Sequence, residues 1–89
     1  MSAPVTLYST RHCGYCTRAK ALLDARGIAY REILVDEAPT LRDEMMQKSG
    51  RRTVPQIFIG ERHLGGYTEL YLLDSRGGLA TLLSGTPVN

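Results

Sequence analysis

Val5-Thr6-Leu7-Tyr8-Ser9, then Thr10-Arg11-His12-Cys13-Gly14-Tyr15-Cys16, then Thr17-Arg18-Ala19-Lys20-Ala21-Leu22-Leu23-Asp24-Ala25-Arg26-Gly27, is the stretch that decides the fold. Val5 to Ser9 is β-rich and alternates, which predicts a first strand. From Tyr15 to Arg26 the spacing turns helical, with Cys16, Ala19, Leu22 and Leu23 on one face, and Gly27 suits the position just past the helix end. Ile28 to Val35 alternates again and predicts a second strand. A strand, a crossover helix and a strand imply parallel pairing. The two cysteines therefore fall where a strand gives way to a helix.

Downstream, Pro39 to Ser49 predicts a second helix: Pro39 fits its first turn, Leu41, Met45 and Met46 supply the apolar side, and Gly50 ends it. Gln56-Ile57-Phe58-Ile59 predicts a compact apolar strand after Val54-Pro55. Gly60-Glu61 then turns the chain into a short Arg62-His63-Leu64 strand, a hairpin. Gly65-Gly66 breaks the pattern before a helix from about Thr68 to Arg76, and Gly77-Gly78 separates that from a last short helix carrying Leu79, Leu82 and Leu83. The order β-α-β-α-β-β-α-α predicts an α/β fold, a small mixed four-stranded sheet flanked by helices. Residues 1–89 leave room for one domain and no second core.

Cys13 and Cys16 are the only cysteines. A bond between them closes too short a loop to remove much unfolded-state entropy, so the pair looks chemical rather than structural. A C-x-x-C motif between a strand and a helix is the thioredoxin-like redox signature. On a helix, residues three apart share a face, so the two sulfurs can join with little rearrangement. Cys13, at or just before the first turn, meets unpaired backbone N–H groups and the positive end of the helix dipole, which favour an anion. The thiolate is the nucleophile, and Cys16, one turn in and facing the core, is its resolving partner. Zinc would need four ligands, and only His12 and His63 remain as soft candidates. Haem attachment would need a histidine where Thr17 stands. An inert pair of core cysteines is the bland alternative.

The remaining composition narrows the setting. A formal charge of +2 is too small to argue for nucleic acid, although Arg11, His12, Arg18, Arg51 and Arg52 would lie near the cysteines in such a fold. No segment approaches the apolar length of a membrane span, and Met1 to Thr10 lacks the features of an export signal. The expectation is a cytoplasmic protein, where disulfides tend to be transient and catalytic.

With Cys13-Gly14-Tyr15-Cys16, Thr53-Val54-Pro55-Gln56-Ile57-Phe58-Ile59 and Gly65-Gly66 in this order, the chain resembles the small bacterial glutaredoxins from about Val5 to Leu83. The resemblance implies a thioredoxin-like fold, glutathione as co-substrate, and reduction of disulfide-containing and glutathionylated proteins. It implies a cis-proline at Pro55 and a backbone contact from Val54 to the cysteine of glutathione, flanked by Thr53. It places Gly66, Tyr67, Thr68 and Glu69 at the γ-glutamyl end, where helix N–H groups meet the carboxylate and Glu69 the amine. Tyr15 and Arg51 match positions near the glycine carboxylate.

Three departures stand out. Thr10 occupies a position where the family commonly has lysine, so either Arg11 takes over the charge or glutathione is held more weakly. Gly14 replaces the usual proline between the cysteines. Tyr67 stands where some relatives carry a third cysteine.

The sequence thus points to a glutathione-dependent thiol–disulfide oxidoreductase working through Cys13 and Cys16, monomeric, with no nucleic-acid or membrane partner. The competing reading is a carrier of a [2Fe–2S] cluster, held by Cys13 thiolates and glutathione between two protomers, to which an unrestricted Gly14 would give room.

Overall fold

Side chains of two adjacent strand residues point to opposite faces, and in the central strands both faces are apolar. In β1 (Val5–Ser9), Val5 and Leu7 enter one core while Tyr8 enters another; in β3 (Gln56–Ile59), Ile57 and Ile59 join the first and Phe58 the second. A strand apolar on both sides must be covered on both sides. The structure, a computed structural model describing residues 4–79, covers it with helices.

After β1 come α1 (Gly14–Ala25), β2 (Arg31–Leu34), α2 (Pro39–Ser49), then β3, β4 (Arg62–Gly65) and α3 (Tyr67–Ser75). The sheet order is β2-β1-β3-β4, with β1 parallel to β2 and antiparallel to β3, and β4 antiparallel to β3. The mixed four-stranded sheet expected from the sequence is present. Ala19 and Leu23 of α1 and Leu70 of α3 fill the first core with Val5, Leu7, Ile57 and Ile59; Leu79 closes it. Met45 of α2 and Val35 fill the second, against Tyr8 and Phe58, whose rings meet edge to face at 5.7 Å. Arg26 grips Asp74 with two hydrogen bonds, of 2.8 and 2.9 Å, tying the end of α1 to α3.

Several boundaries differ from the sequence expectation. The first helix starts at Gly14 rather than Tyr15, because Cys13 is its N-cap. The second strand begins at Arg31, not Ile28. The Ile28 N–H bonds the Leu23 carbonyl (2.9 Å) and the Gly27 N–H bonds that of Asp24 (3.0 Å), which is a Schellman ending with Gly27 at φ 68°. Ile28 and Tyr30 alternate because they pack on the first core, not because they pair. The hairpin strand extends through Gly65, and the next helix runs Tyr67–Ser75 rather than Thr68–Arg76. The final helix bearing Leu82 and Leu83 lies outside the described residues.

Candidate active site

Cys13 has extended backbone angles (φ −139°, ψ 111°), as an N-cap residue should, and its sulfur takes the role that a serine or aspartate oxygen usually takes there. Its Sγ accepts the Cys16 N–H at 3.2 Å and lies 3.8 Å from the Val54 carbonyl. The side chain is half-buried, with an open face. Cys16, one turn on, is 1% exposed. Burial pushes its thiol pKa up, the hydrogen bond with Cys13 adds to this, and the Thr10 backbone amide and the Lys20 charge act the other way. Among the described residues, the two cysteines of the motif are one accessible thiol and one enclosed thiol, both free.

A groove of about 170 Å3 runs beside Cys13. Tyr15 and Arg51 line one part of it, Thr53, Val54 and Pro55 its floor, and Gly66, Tyr67, Thr68 and Glu69 the far wall. Every residue that the resemblance assigned to glutathione therefore lies on one surface. The Val54–Pro55 bond is cis. Gly66 is the N-cap of α3, and its N–H reaches Glu69 Oε1 at 2.8 Å, which holds the carboxylate at the mouth of the helix. That amide, together with Arg51 and against burial, keeps the Glu69 carboxyl below its usual range.

Arg51 and Glu69, expected at opposite ends of glutathione, are joined here by an ion pair of 3.2 Å. The expected cationic cluster is only partly formed. Arg18 lies over the Tyr15 ring, 5.5 Å from its centroid. Arg11 turns to the loop after β2: its N–H bonds Asp36 at 3.2 Å and its guanidinium approaches Glu37 at 4.0 Å. It is not among the residues that line the groove. Arg52 is exposed and offers its backbone carbonyl to Arg42.

Sequence reasoning missed Gln56. It is 1% exposed, yet polar and within the central strand β3. Its Nε2 donates to the Thr53 carbonyl at 2.9 Å, and its Oε1 accepts from His63 Nε2 at 2.7 Å. Buried polar groups must be satisfied, and this one is satisfied by fixing the loop that forms the groove floor. The signal available was a glutamine in an otherwise apolar strand, directly after the proline. His63, once a soft metal candidate, is occupied by that bond and by stacking on Phe58 at 4.9 Å.

A helix-capping thiol, a second thiol beneath it and a groove beside them define a thioredoxin-like dithiol site. Comparison with known proteins agrees. The glutaredoxin family model matches residues 5–64. Glutaredoxin 3 of Escherichia coli K12 is 51% identical, over 91% of this chain and 98% of that one. A glutaredoxin of Neisseria meningitidis serogroup A is 54% identical, over 90% and 95%. Among solved structures, a buckwheat glutaredoxin–glutathione complex superposes with TM-score 0.85 at 34% identity, over 93% of this chain and 78% of that one. The Brucella melitensis glutaredoxin gives 0.82 at 44%, over 98% and 96%. The chain belongs to the glutaredoxin family, with its thioredoxin-like fold, and is a glutathione-dependent thiol–disulfide oxidoreductase.

Proposed function

We propose that Cys13 is the attacking thiolate and Cys16 the resolving thiol, acting within one domain of residues 1–89. The observation that carries this is the position of Cys13 Sγ, bonded to the first turn of α1 and 3.8 Å from a carbonyl of the groove floor. A substrate disulfide held in the groove comes within reach of the sulfur. Cys13 takes one sulfur of a glutathionylated or disulfide-bearing protein and releases the other as a thiol. Glutathione then attacks the mixed disulfide, or Cys16 displaces it and leaves the Cys13–Cys16 disulfide.

Glutathione lies in the groove with its cysteine backbone on Val54, flanked by Thr53 and Pro55. Its glycine carboxylate goes to Arg51 beside Tyr15, and its γ-glutamyl group to the Gly66-Tyr67-Thr68-Glu69 corner. The ends of the tripeptide supply the countercharges that Arg51 and Glu69 otherwise supply to each other. The protein partners are disulfide-containing and glutathionylated proteins, and the setting is the cytoplasm. Among the described residues, no helix is long and apolar enough to cross a membrane.

A [2Fe–2S] cluster bridged between two protomers would draw only Cys13 from each, with glutathione as the other ligands and Cys16 enclosed, and no observation on this chain favours it over the dithiol reading.

Two substitutions test the division of labour. Cys13→Ser should abolish glutathione-dependent reduction of a glutathionylated peptide, and Cys16→Ser should retain it, since external glutathione can resolve. Substantial turnover by Cys13→Ser would overturn the assignment.

A further inference from the structure

Cys16 poses a difficulty that the groove does not solve. Its sulfur must act as a nucleophile, yet it lies in the interior, where a thiolate is disfavoured. Lys20 is four residues further along α1, on the same face, where side chains at i and i+4 are neighbours. Helical side chains lean towards the N-terminal turn, so that of Lys20 extends over the turn carrying Cys16. Its ammonium is not loose. Glu32 Oε2 of β2 holds Nζ at 2.9 Å, and the same oxygen accepts the Ser9 hydroxyl at 2.6 Å. Ser9 is fully buried at the end of β1 and precedes Thr10, whose backbone amide favours the Cys16 thiolate. The Lys20 and Glu32 side chains are 30% and 27% exposed, sheltered enough to limit screening by salt while still open to solvent.

We propose that Lys20, anchored by Glu32 and Ser9, supplies the positive charge that lets the Cys16 thiol ionise as it resolves the mixed disulfide. This rests on the assignment of Cys13 and Cys16 above. In the step, the Cys16 sulfur attacks Cys13 Sγ of Cys13–S–S–R. The Cys13–Cys16 bond forms, the Cys13–R bond breaks, and R departs with the electron pair as a thiolate. The proton leaving Cys16 passes to solvent, and one returns to R. In this step the Cys16 sulfur is oxidised and the R sulfur is reduced, Cys13 staying at the disulfide level throughout, so no further reagent is needed. Lys20 and Glu32 touch no substrate; they are positioning residues for Cys16. The charged and titratable neighbours of Lys20 are Glu32 and Tyr30 from the β2 side and Cys16 and Asp24 on α1; those of Cys16 are Cys13 and Lys20. Of these, Lys20 is the cation that favours the Cys16 thiolate.

The test is a single turnover of the reduced protein with one equivalent of 5,5′-dithiobis(2-nitrobenzoate). Attack by Cys13 releases one coloured thiolate, and resolution by Cys16 releases the second. Lys20→Met should slow the second release by about 3- to 10-fold near neutral pH, as removal of one nearby, partly sheltered charge implies, and move its pH midpoint upward. Lys20→Arg should restore most of the rate, and Lys20→Gln should be slowed as Lys20→Met is. The first release should be unchanged in all three. In a Cys16→Ser background, Lys20→Met should leave glutathione mixed-disulfide reduction unaltered. A wild-type second phase with a wild-type pH profile in Lys20→Met overturns the proposal. So does equal slowing of both phases, which is what a helix–sheet staple alone predicts. Should Lys20→Met not fold, Lys20→Gln decides in its place: an unchanged second phase there overturns the proposal equally. A second release that persists in Cys16→Ser refutes the resolving assignment itself, a distinct outcome.

Discussion

Gly65→Ala tests what the Gly65-Gly66 pair does. Gly65 has φ +127°, a conformation that side-chain-bearing residues rarely adopt. A methyl group there would also strike the Glu69 carboxylate, lying 2.8 Å from its Cγ and 2.9 Å from its Cδ. The conformational cost is about 1–3 kcal/mol. Pushing Glu69 away also forfeits the 2.8 Å bond to the Gly66 N–H, a charge-assisted contact worth roughly 1 kcal/mol where partly exposed. A loss of about 2–4 kcal/mol in a chain of this size lowers Tm by roughly 10–25 °C. Because Glu69 is displaced, the KM for glutathione should rise as well. Gly27→Ala is the control. Gly27 also has positive φ (+68°), but a Cβ there meets nothing within 4 Å. It should cost only about 1–2 kcal/mol and leave KM unchanged. Thermal melts followed by circular dichroism, with glutathione titrations of the mixed-disulfide assay, measure both. A Gly65→Ala protein with the Tm and KM of the wild type would refute the reasoning, because the groove corner would then not depend on close approach at this residue.

Thr10→Lys should lower the KM for glutathione, by about 0.5–1.5 kcal/mol in apparent affinity, since Arg11 is not among the residues that line the groove. An unchanged KM would place the glycine carboxylate away from this end of the groove. Gln56→Leu removes the bridge between the Thr53 loop and His63, leaves a half-buried His63 nitrogen unpaired, and should cost about 1–3 kcal/mol while raising the KM for glutathione. Loss of stability with an unaltered KM would mean that the floor loop holds its shape without the glutamine. The Ser9 hydroxyl and Lys20 hold the Glu32 carboxyl below its usual range. A carboxylate depressed in the folded state adds stability that is fully present above its unfolded pKa of about 4.3 and lost as pH falls through the lower folded value. The Tm difference between wild type and Glu32→Gln should therefore be constant above about pH 5.5 and shrink in more acid solution. A difference that grows on acidification would contradict the assignment.

The sequence by itself determined the elements whose neighbours along the chain dictate them. Strand Val5–Ser9, helix Pro39–Ser49 and strand Gln56–Ile59 occur where alternation, proline and glycine place them. The two sulfurs lie as C-x-x-C on a helix start requires, one capping and one enclosed. These are local matters of periodicity, of φ and of hydrogen bonds within one turn. The tertiary structure decided whatever depends on residues far apart in the chain. Ile28 to Tyr30 look like strand, but the Leu23 carbonyl claims the Ile28 amide, and burial against the first core supplies the alternation. Arg11 is two residues from Cys13 in sequence, yet it does not line the groove, and its guanidinium lies 4.0 Å from Glu37 of the loop after β2. Gln56 becomes intelligible only once Thr53 and His63 close around its amide. Lys20 reads as an ordinary helical cation until β1 and β2 bring Ser9 and Glu32 beneath it. Periodicity shows which face of an element is buried; which distant polar group waits there is set by strand order and crossover, which no single segment encodes.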